Sequence, residues 1–318
     1  MSSYVRDVLE RFKEYVPAAA NPVQLPADPK LRLHVGGATK VHVYQGESTG
    51  ERSDAEDGAA ECPGNIPYKE LLGALLWVSQ GTRPDITYAV SQCAKFSQKP
   101  RLAHWGALKR VLRYLKGTMD YGIHYRRPGS RDQNTPLGSL DLPTGYLSSV
   151  SASEAAGIVT IGYVDSDYAN SIDDRRSVTG YINFIAEAPY TWQSKTQPSV
   201  ALSTLEAEYM ALAAEVQETD HQRMLFQELG VELVTPTVIK EDNKACQLFA
   251  DHAGNFQRTK HIDVRHHFVR ERIQRGSVRV DYVKTSDNVA DIVTKALPRE
   301  LFMKFRSMLV VSKATIQM

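Results

Sequence analysis

The sequence predicts an α/β fold in which a mixed five-stranded sheet with flanking helices follows a smaller helical region. The first observation is the pattern after residue 157, where three short apolar segments joined by tight turns precede alternating helical and strand-like segments. The second is the helical spacing of apolar residues between positions 67 and 118. With 318 residues, 42% hydrophobic and 24% charged, the chain is long enough for two domains with buried cores.

The smaller region is predicted to span residues 1–125. Apolar residues at helical spacing predict helices over 4–16, 67–80, 83–98 and 104–118. The stretch 17–63 is rich in proline, glycine and acidic residues, shows little periodicity and is predicted to be loose. Turn-forming residues and a Ser/Ala-rich run predict a linker over 126–156, which leaves 157–312 as a second domain.

The second domain contains the predicted sheet. Strands are predicted over 158–165, 177–186, 188–197, 236–242 and 277–284. A long helix over 203–230 separates the third strand from the fourth, and further helices are predicted from Lys244, around 261–274 and from about Asn288. This order predicts a mixed sheet with helices on its faces.

Composition constrains the partners and the compartment only broadly. A net charge of +1 means that phosphate binding needs local basic patches. Three cysteines far apart in the sequence argue against a disulfide framework and for a reducing compartment. The charged N-terminal segment is unlike a signal peptide, and no apolar stretch is long enough to span a membrane. We therefore expect an intracellular protein without a membrane partner, with cytoplasm and nucleus both left open.

Four elements place acidic residues where they can reach one edge of the sheet. Asp165 ends the first strand and Asp242 ends the fourth. Chemistry in such sheets gathers at the carboxyl ends of strands beside helix N-termini, so these side chains are expected to converge. The long helix adds Glu206 and Glu208 near its start, and the last helix adds Asp287 and Asp291.

Glu206 and Glu208 lie on different sides of the predicted helix. With Leu205 as the reference, Glu208 lies about 60° away, on the border of the buried stripe and able to face the sheet. Glu206 lies about 100° away, and with Ser203 it matches the S-x-x-E pattern of a capping box. Glu208 is therefore the stronger candidate. Asp287 has the position of an N-cap, but geometry alone does not decide between it and Asp291.

Several carboxylates in one place suggest a metal site. Like charges repel and raise each other's pKa, so such a cluster is unfavourable by itself. Mg²⁺ reverses this balance because it prefers oxygen ligands. Two such ions about 3.5–4 Å apart stabilise both the attacking water and the leaving oxygen in phosphodiester hydrolysis. The residues thus predict a two-metal nuclease.

Eight segments carry a family resemblance. GYVDSDYANSIDDRRSVTGYINF, TWQSKTQPSVALSTLEAEYMAL, EDNKACQL, RTKHIDVRHHFVRE and YVKTSDNVADIVTKALP closely resemble the ribonuclease H domain of copia-type LTR-retrotransposon Pol polyproteins. NPVQLPADP, PYKELLGALLWVSQGTRPDITYAVSQCAKF and HWGALKRVLRYLKGT resemble the C-terminal part of the reverse transcriptase of the same elements. The resemblance covers nearly the whole chain apart from the stretches near 45–62 and 130–155.

The resemblance implies a ribonuclease H-like fold and cleavage of the RNA strand of RNA/DNA hybrids with two Mg²⁺ ions, or Mn²⁺ in their place. Its four acidic positions, implied to be catalytic and metal-binding, match Asp165, Glu208, Asp242 and Asp291. The implied partners are the hybrid and the remainder of the Pol polyprotein, with no small-molecule substrate. The alternative is a non-catalytic nucleic-acid-binding remnant or domesticated product of the element.

The chain departs from the family pattern in two places. The loop KTSDNV before the last helix lacks the histidine that many ribonucleases H carry there, so product release is expected to differ. The aromatic–x–Asp–Asp hairpin of reverse transcriptases is missing, because residues 163–166 lack the second aspartate and residues 171–174 lack the aromatic residue. We therefore expect no polymerase activity from this fragment.

Some basic and polar residues are predicted to contact the nucleic-acid backbone, with a solvated helix face as the alternative for the last two of them. These residues are Lys195, Gln197, Arg258, Arg113 and Lys116. A zinc site at His261, His266 and His267 is disfavoured, because no matching cysteine or histidine cluster accompanies them.

Overall fold

The computed structural model describes residues 2–16, 20–40, 42–44, 47–49, 59–125, 159–186, 188–231, 233, 235–251 and 260–312. The helices are α1 Ser2–Arg11, α2 Tyr68–Gly81, α3 Thr87–Ala94, α4 Leu102–Gly117, α5 Thr204–Glu228, α6 Lys244–Asp251, α7 Lys260–Gln274, α8 Asp291–Thr294 and α9 Arg299–Leu309. The strands are β1 Leu31–His34, β2 Gly37–Lys40, β3 His42–Tyr44, β4 Glu47–Thr49, β5 Tyr121–Gly122, β6 Thr160–Asp167, β7 Val178–Ile185, β8 Ala188–Thr196, β9 Thr237–Glu241, β10 Val278–Tyr282 and β11 Val311–Ser312. The predicted linker 126–156 and Arg258 lie outside the described residues.

The predicted α/β class and mixed five-stranded sheet are confirmed. The strand order is β10-β9-β6-β7-β8. The three meandering strands pair antiparallel, whereas β9 runs parallel to β6 and β10 parallel to β9. Parallel neighbours need crossover connections, and α5, α6 and α7 lie in the chain between the strands concerned.

Two compact units make up the chain. Unit 1 combines Met1–His124, Asn170–Arg175 and Lys295–Met318, and unit 2 combines Tyr125–Ala169 and Arg176–Thr294. Both units combine segments that are distant in the sequence, so they do not test a division of the chain into continuous domains. The domain boundaries at 125 and 157 remain a prediction. Within the described residues, no helix is both long enough and apolar enough to cross a lipid bilayer.

Helix α5 packs closely on the sheet in unit 2. Its predicted apolar stripe is buried, with Leu212 and Val216 in the same core cluster as Val164 of β6. A Cβ atom at Gly162 would lie 2.4 Å from Glu215 Oε1 and 2.8 Å from Asn183 Oδ1. A larger residue at position 162 would therefore have to displace the Glu215 and Asn183 side chains, so the glycine here leaves room for these two side chains.

The carboxyl group of Glu215 on α5 is buried next to Gly162 of β6. Asn183 Nδ2 donates to Glu215 Oε2 over 3.3 Å and Thr219 Oγ1 donates to Glu215 Oε1 over 3.3 Å. Burial raises the pKa of Glu215 well above its ordinary value, and the charge of Glu218 adds to the effect of burial. Glu215 is therefore neutral over part of the pH range in which exposed glutamates are charged.

Unit 1 contains a buried ion pair. Arg83 donates through Nε and Nη2 to both carboxylate oxygens of Asp85, each over 2.8 Å, and both residues are 1% exposed. Tyr114 of α4 donates to Asp85 over 2.6 Å, and Arg306 of α9 donates to the Tyr114 hydroxyl over 3.4 Å. Further bonds join Arg83 to Thr118. This network connects the C-terminal helix α9 to the core of unit 1.

Two predictions on secondary structure were wrong. The stretch 17–63 was predicted to be loose, yet β1 and β2 form an antiparallel hairpin whose turn is Val35 and Gly36. The alternation of Leu31 and Leu33 and the glycines that follow are the hairpin signal that was overlooked. The single last helix is two helices, because Pro298 cannot continue α8 and instead precedes α9.

Removing the negative charge at Asp85 should destabilise unit 1. In Asp85→Asn the guanidinium of Arg83 stays buried without its counter-charge, which costs about 3–5 kcal/mol. Thermal unfolding followed by circular dichroism should show a much lower melting temperature for this variant than for the wild type. Asp120→Asn changes an exposed aspartate of the same unit and should leave the transition unchanged. Equal shifts in the two variants would contradict a structural role for the buried pair.

Glu215→Gln should change how stability depends on pH. A carboxyl group with a raised pKa in the folded state makes folding less favourable as pH rises above the ordinary value of 4.5. We expect the variant to be more stable than the wild type at pH 8, with the difference shrinking as the pH approaches 5. Urea unfolding of both proteins at several pH values measures this difference. A difference that does not vary with pH would refute it.

Candidate metal centre

The pairing of β6 with β9 positions two aspartates. In this parallel pair Tyr163 lies opposite Lys240. Asp165 and Asp242 each follow two residues later, so they reach the same level at neighbouring strand ends. Their side chains therefore meet at the carboxyl edge of the sheet, as the sequence predicted.

Glu208 of α5 completes a group of three carboxylates. One ligand oxygen each from Asp165, Glu208 and Asp242 lies within 4.8 Å of the others. Asp165 is 2% exposed and Glu208 is 9% exposed, so water solvates these charges poorly. The prediction of Glu208 rather than Glu206 agrees with this geometry.

The neighbouring carboxylates act on Glu208. Burial raises the pKa of Glu208 well above its ordinary value. The negative charges of Glu241, Asp165 and Asp242 raise this pKa further, and the nearby Ser166 hydroxyl lowers it. The protein alone therefore keeps a negative charge at Glu208 only at a cost in free energy.

Asp291 lies beside this group without belonging to it. Among the described residues, the set within 4.8 Å comprises only the three carboxylates above. Asp291 is buried at the start of α8, and Thr294, three residues later, donates a hydrogen bond from its hydroxyl to Asp165 Oδ2. Asp291 thus occupies the helix that contacts Asp165, and its role as a fourth ligand remains a prediction.

The three carboxylates fit a divalent cation. The Oε2 atom of Glu208 is buried and has no hydrogen-bond partner among the described residues. An unpartnered buried carboxylate oxygen is costly unless a positive charge faces it. All the ligand atoms are oxygens, the donors that Mg²⁺ and Mn²⁺ prefer. The site therefore suits a hard divalent ion.

Sequence reasoning missed three residues around the site. Glu241 is fully buried next to Asp242, and the alternation along β9 places it on the same face as the core residue Ile239. Thr294 stands three residues after Asp291, a helical spacing that the sequence displays. Asn288 was overlooked as a cap.

The helix starts near the site differ slightly from expectation. Ser203 Oγ accepts from the backbone N–H of Glu206 over 3.1 Å, as a capping box requires. The Glu206 carboxylate accepts from Leu202 N, one residue earlier than expected. Asn288 rather than Asp287 caps the turn before α8, because its Oδ1 accepts from Ala290 N and its Nδ2 donates to Val164 O.

The other predicted contact residues are dispersed. Lys195 is exposed on β8, whereas Gln197 is buried with its amide donating to Thr179 Oγ1 and Ala207 O. This geometry does not favour a direct nucleic-acid contact by Gln197. In unit 1, Arg113 and Lys116 donate to the backbone carbonyls of Asn21 and Ala20. Their contacts with nucleic acid remain predictions.

The histidines do not form a metal site in the described part of the chain. His266 is buried, with Nε2 3.2 Å from Phe249 O and its ring packed against Tyr209 and Phe249. The side chain of His261 lies outside the described residues. His266 therefore serves the core.

Comparison with known proteins identifies relatives over most of the chain. The retrovirus-related Pol polyprotein from transposon RE2 of Arabidopsis thaliana is 34% identical over 304 residues, which cover 95% of this chain and 17% of that protein. The corresponding polyprotein from transposon TNT 1-94 of Nicotiana tabacum is 33% identical over 94% of this chain and 19% of its own length. The chain thus spans less than a fifth of either relative.

Structural similarity is confined to part of the chain. LC11-RNase H1, isolated from compost, matches 43% of this chain and 92% of its own chain with a TM-score of 0.33 and 11% sequence identity. No protein-family model matches the sequence. The identity to the two polyproteins, extended over nearly all of the chain, confirms the resemblance seen in the motifs. Over nearly all of its length the chain is homologous to a segment of retrovirus-related Pol polyproteins from copia-type transposons.

Proposed function

We propose that unit 2 is a ribonuclease H that hydrolyses the RNA strand of RNA/DNA hybrids with two Mg²⁺ ions. The observation that carries this proposal is the convergence of Asp165, Glu208 and Asp242 within 4.8 Å. The order of the acidic motifs in the sequence and the homology to Pol polyproteins support it. The remainder of the polyprotein is the proposed partner.

Each acidic residue has a distinct part in the proposed site. Asp165 is held by the Thr294 hydroxyl and by a strand that is paired on both sides. Glu208 offers a buried oxygen that is not engaged by another described residue. Asp242 supplies the third carboxylate of the group. Asp291 is proposed as the additional ligand because Thr294 of the same helix contacts Asp165.

The chemistry follows from the charge of the site. Bound divalent ions supply the positive charge that favours attack by water on a phosphodiester and departure of the 3′ oxygen. The protein contributes fixed oxygen ligands, so little reorganisation is needed when substrate arrives. Without ions the same carboxylates repel a phosphate group, so binding of a phosphodiester at this site is coupled to metal binding.

A second candidate is a nucleic-acid-binding remnant without catalytic activity. The position of Asp291 outside the group of three carboxylates favours this alternative. A remnant would bind the hybrid but leave both strands intact. Cleavage of a labelled hybrid separates the two candidates directly.

Hydrolysis should require the acidic cluster and Mg²⁺. We expect the wild type to shorten the RNA strand of a labelled RNA/DNA hybrid in Mg²⁺ and not in EDTA. Asp165→Asn should lower the rate by more than roughly 100-fold, because loss of a ligand removes several kcal/mol of charge stabilisation. Gel analysis of both strands measures the products.

A matched control is available in the turn after β6. Asp174→Asn alters an exposed aspartate of the same neighbourhood in sequence and should keep the wild-type rate. Intact RNA after incubation of folded wild-type protein would leave only the binding alternative. Similar losses in the two variants would point to a general effect on folding.

Stability measurements should detect the metal without relying on activity. In EDTA, Glu208→Gln should raise the melting temperature, because it removes one of several mutually repelling buried charges. Adding Mg²⁺ should raise the melting temperature of the wild type more than that of the variant, since ligand binding stabilises the folded state in proportion to affinity. Glu206→Gln, two residues away in the capping box, is the matched control and should respond like the wild type. Equal responses of all three proteins to Mg²⁺ would count against Glu208 as a ligand.

A further inference from the structure

The short helix α8 is attached to the end of β6 on both of its sides. Before the helix, Asn288 donates through Nδ2 to the carbonyl oxygen of Val164 over 2.9 Å. At the last residue of the helix, Thr294 donates through Oγ1 to Oδ2 of Asp165. The two acceptors belong to consecutive residues of β6, and both donor residues are fully buried. A helix of four residues has little stability of its own, so these bonds and the packing around them set its position.

The Thr294 hydroxyl has one proton and three acceptors within reach. Two of them are the carbonyl oxygens of Ala290, at 3.4 Å, and Asp291, at 3.3 Å, which threonine hydroxyls commonly reach inside helices. The third is the carboxylate of Asp165. A hydrogen bond to a charged acceptor is about twice as strong as one between neutral groups. The proton is therefore directed to Asp165.

A donor from the protein matters at Asp165 because water hardly reaches this residue. Asp165 is 2% exposed, and the carboxylates of Glu208 and Asp242 place further negative charge within 4.8 Å. A buried carboxylate in such surroundings needs hydrogen-bond donors or a cation. The bond from Thr294 also restricts rotation of the Asp165 carboxylate, and so fixes the direction in which its oxygens face.

A glycine on the neighbouring strand makes room for Thr294. Gly180 of β7 lies directly opposite Asp165 in the antiparallel pair, so a side chain at position 180 would project from the same face of the sheet. A Cβ atom there would lie 2.4 Å from Thr294 Cγ2 and 2.8 Å from Val293 Cγ2. Both neighbours are fully buried and β-branched, so they have few other rotamers to adopt. Thr294 therefore fills the space beside Asp165 that a side chain from β7 would otherwise occupy.

We propose that Thr294 is a positioning residue of the metal centre, which fixes the Asp165 carboxylate for its ion, and that Gly180 supplies the space for this contact. The inference rests on the proposed function and deepens it, because it names a residue outside the acidic positions on which metal affinity depends. Groups that hydrogen-bond to a metal ligand orient the ligand and tune its affinity. Since Thr294 and Asp291 share α8, the same bond ties the position of the proposed fourth ligand to that of Asp165.

Thr294→Val tests the hydroxyl, because valine has nearly the same shape and no donor. We expect this variant of the full chain to bind Mn²⁺ roughly 10–100-fold more weakly than the wild type, the usual cost of losing a partner of a metal ligand. Isothermal titration calorimetry with Mn²⁺ alone measures the affinity, and Asp165→Asn identifies the part of the binding that belongs to this site. Thr294→Ser keeps the hydroxyl and should bind Mn²⁺ nearly as well as the wild type. Equal losses in Thr294→Val and Thr294→Ser would overturn the proposal.

Thr219 provides a matched control for loss of stability. It is 1% exposed, and its hydroxyl donates to Glu215 Oε1 over 3.3 Å. Thr219→Val therefore removes the same kind of bond, from a buried threonine to a carboxyl group, within the same unit. We expect it to lower the melting temperature in EDTA, as Thr294→Val does, but to keep the wild-type affinity for Mn²⁺. Equal losses of Mn²⁺ affinity in the two variants would count against a positioning role, since lower stability alone would then explain them.

Gly180→Ala tests the same contact from β7 and remains informative if Thr294→Val does not fold. The added methyl group would press on Thr294 and Val293, so α8 has to shift away from β6. The affinity for Mn²⁺ should fall, although every hydroxyl and carboxylate is retained. Combining Gly180→Ala with Thr294→Ser, which removes Cγ2 and keeps Oγ1, should recover part of the loss. An unchanged affinity in Gly180→Ala would refute the importance of this contact.

Hybrid cleavage separates this inference from the nuclease proposal. Thr294→Val should need a higher Mg²⁺ concentration than the wild type for half-maximal cleavage. If the variants change Mn²⁺ affinity as described but the wild type leaves the RNA strand intact, the nuclease proposal fails and the positioning role stands. If the wild type binds Mn²⁺ no more tightly than Asp165→Asn, the metal site and the role of Thr294 fail together.

Discussion

Parallel hydrogen bonding between β6 and β9 sets the level at which the two strands end, and with it the separation of their terminal aspartates. A shift by one residue would turn every side chain of β9 to the opposite face and remove Asp242 from the site. The third carboxylate comes from α5, whose Glu215 side chain lies against β6 at Gly162. The candidate metal centre thus depends on the register of one strand pair.

The two units bury charge in opposite ways. In unit 1, burial opposes ionisation of Asp85, but Arg83 and the Tyr114 hydroxyl hold its pKa below the ordinary value. In unit 2, burial and neighbouring negative charges both act to raise the pKa of Glu208. A balanced pair compensates its own charges, whereas an unbalanced cluster favours binding of an external cation. The first group therefore belongs to the core of unit 1, and the second is the proposed metal site.

Much of unit 2 could be predicted because its signals are local. Strand alternation, the S-x-x-E cap and the position of Glu208 on the helix all follow from residue spacing. The place of Asp291 could not be derived in the same way, because it depends on how a four-residue helix packs against β6. Gln197 was misjudged because exposure depends on tertiary packing, which buries its amide against Thr179 and Ala207.

The bond between Arg306 and Tyr114 has a consequence for biosynthesis. A ribosome delivers α4 nearly 190 residues before α9, and domains generally fold as their sequence emerges. Unit 1 must therefore wait, with the surface that α9 will cover still facing the solvent, while the whole of unit 2 is translated. During that interval the nascent unit 1 exposes apolar surface that chaperones recognise, and a ribosome that stalls before the codon for Arg299 leaves it unfinished.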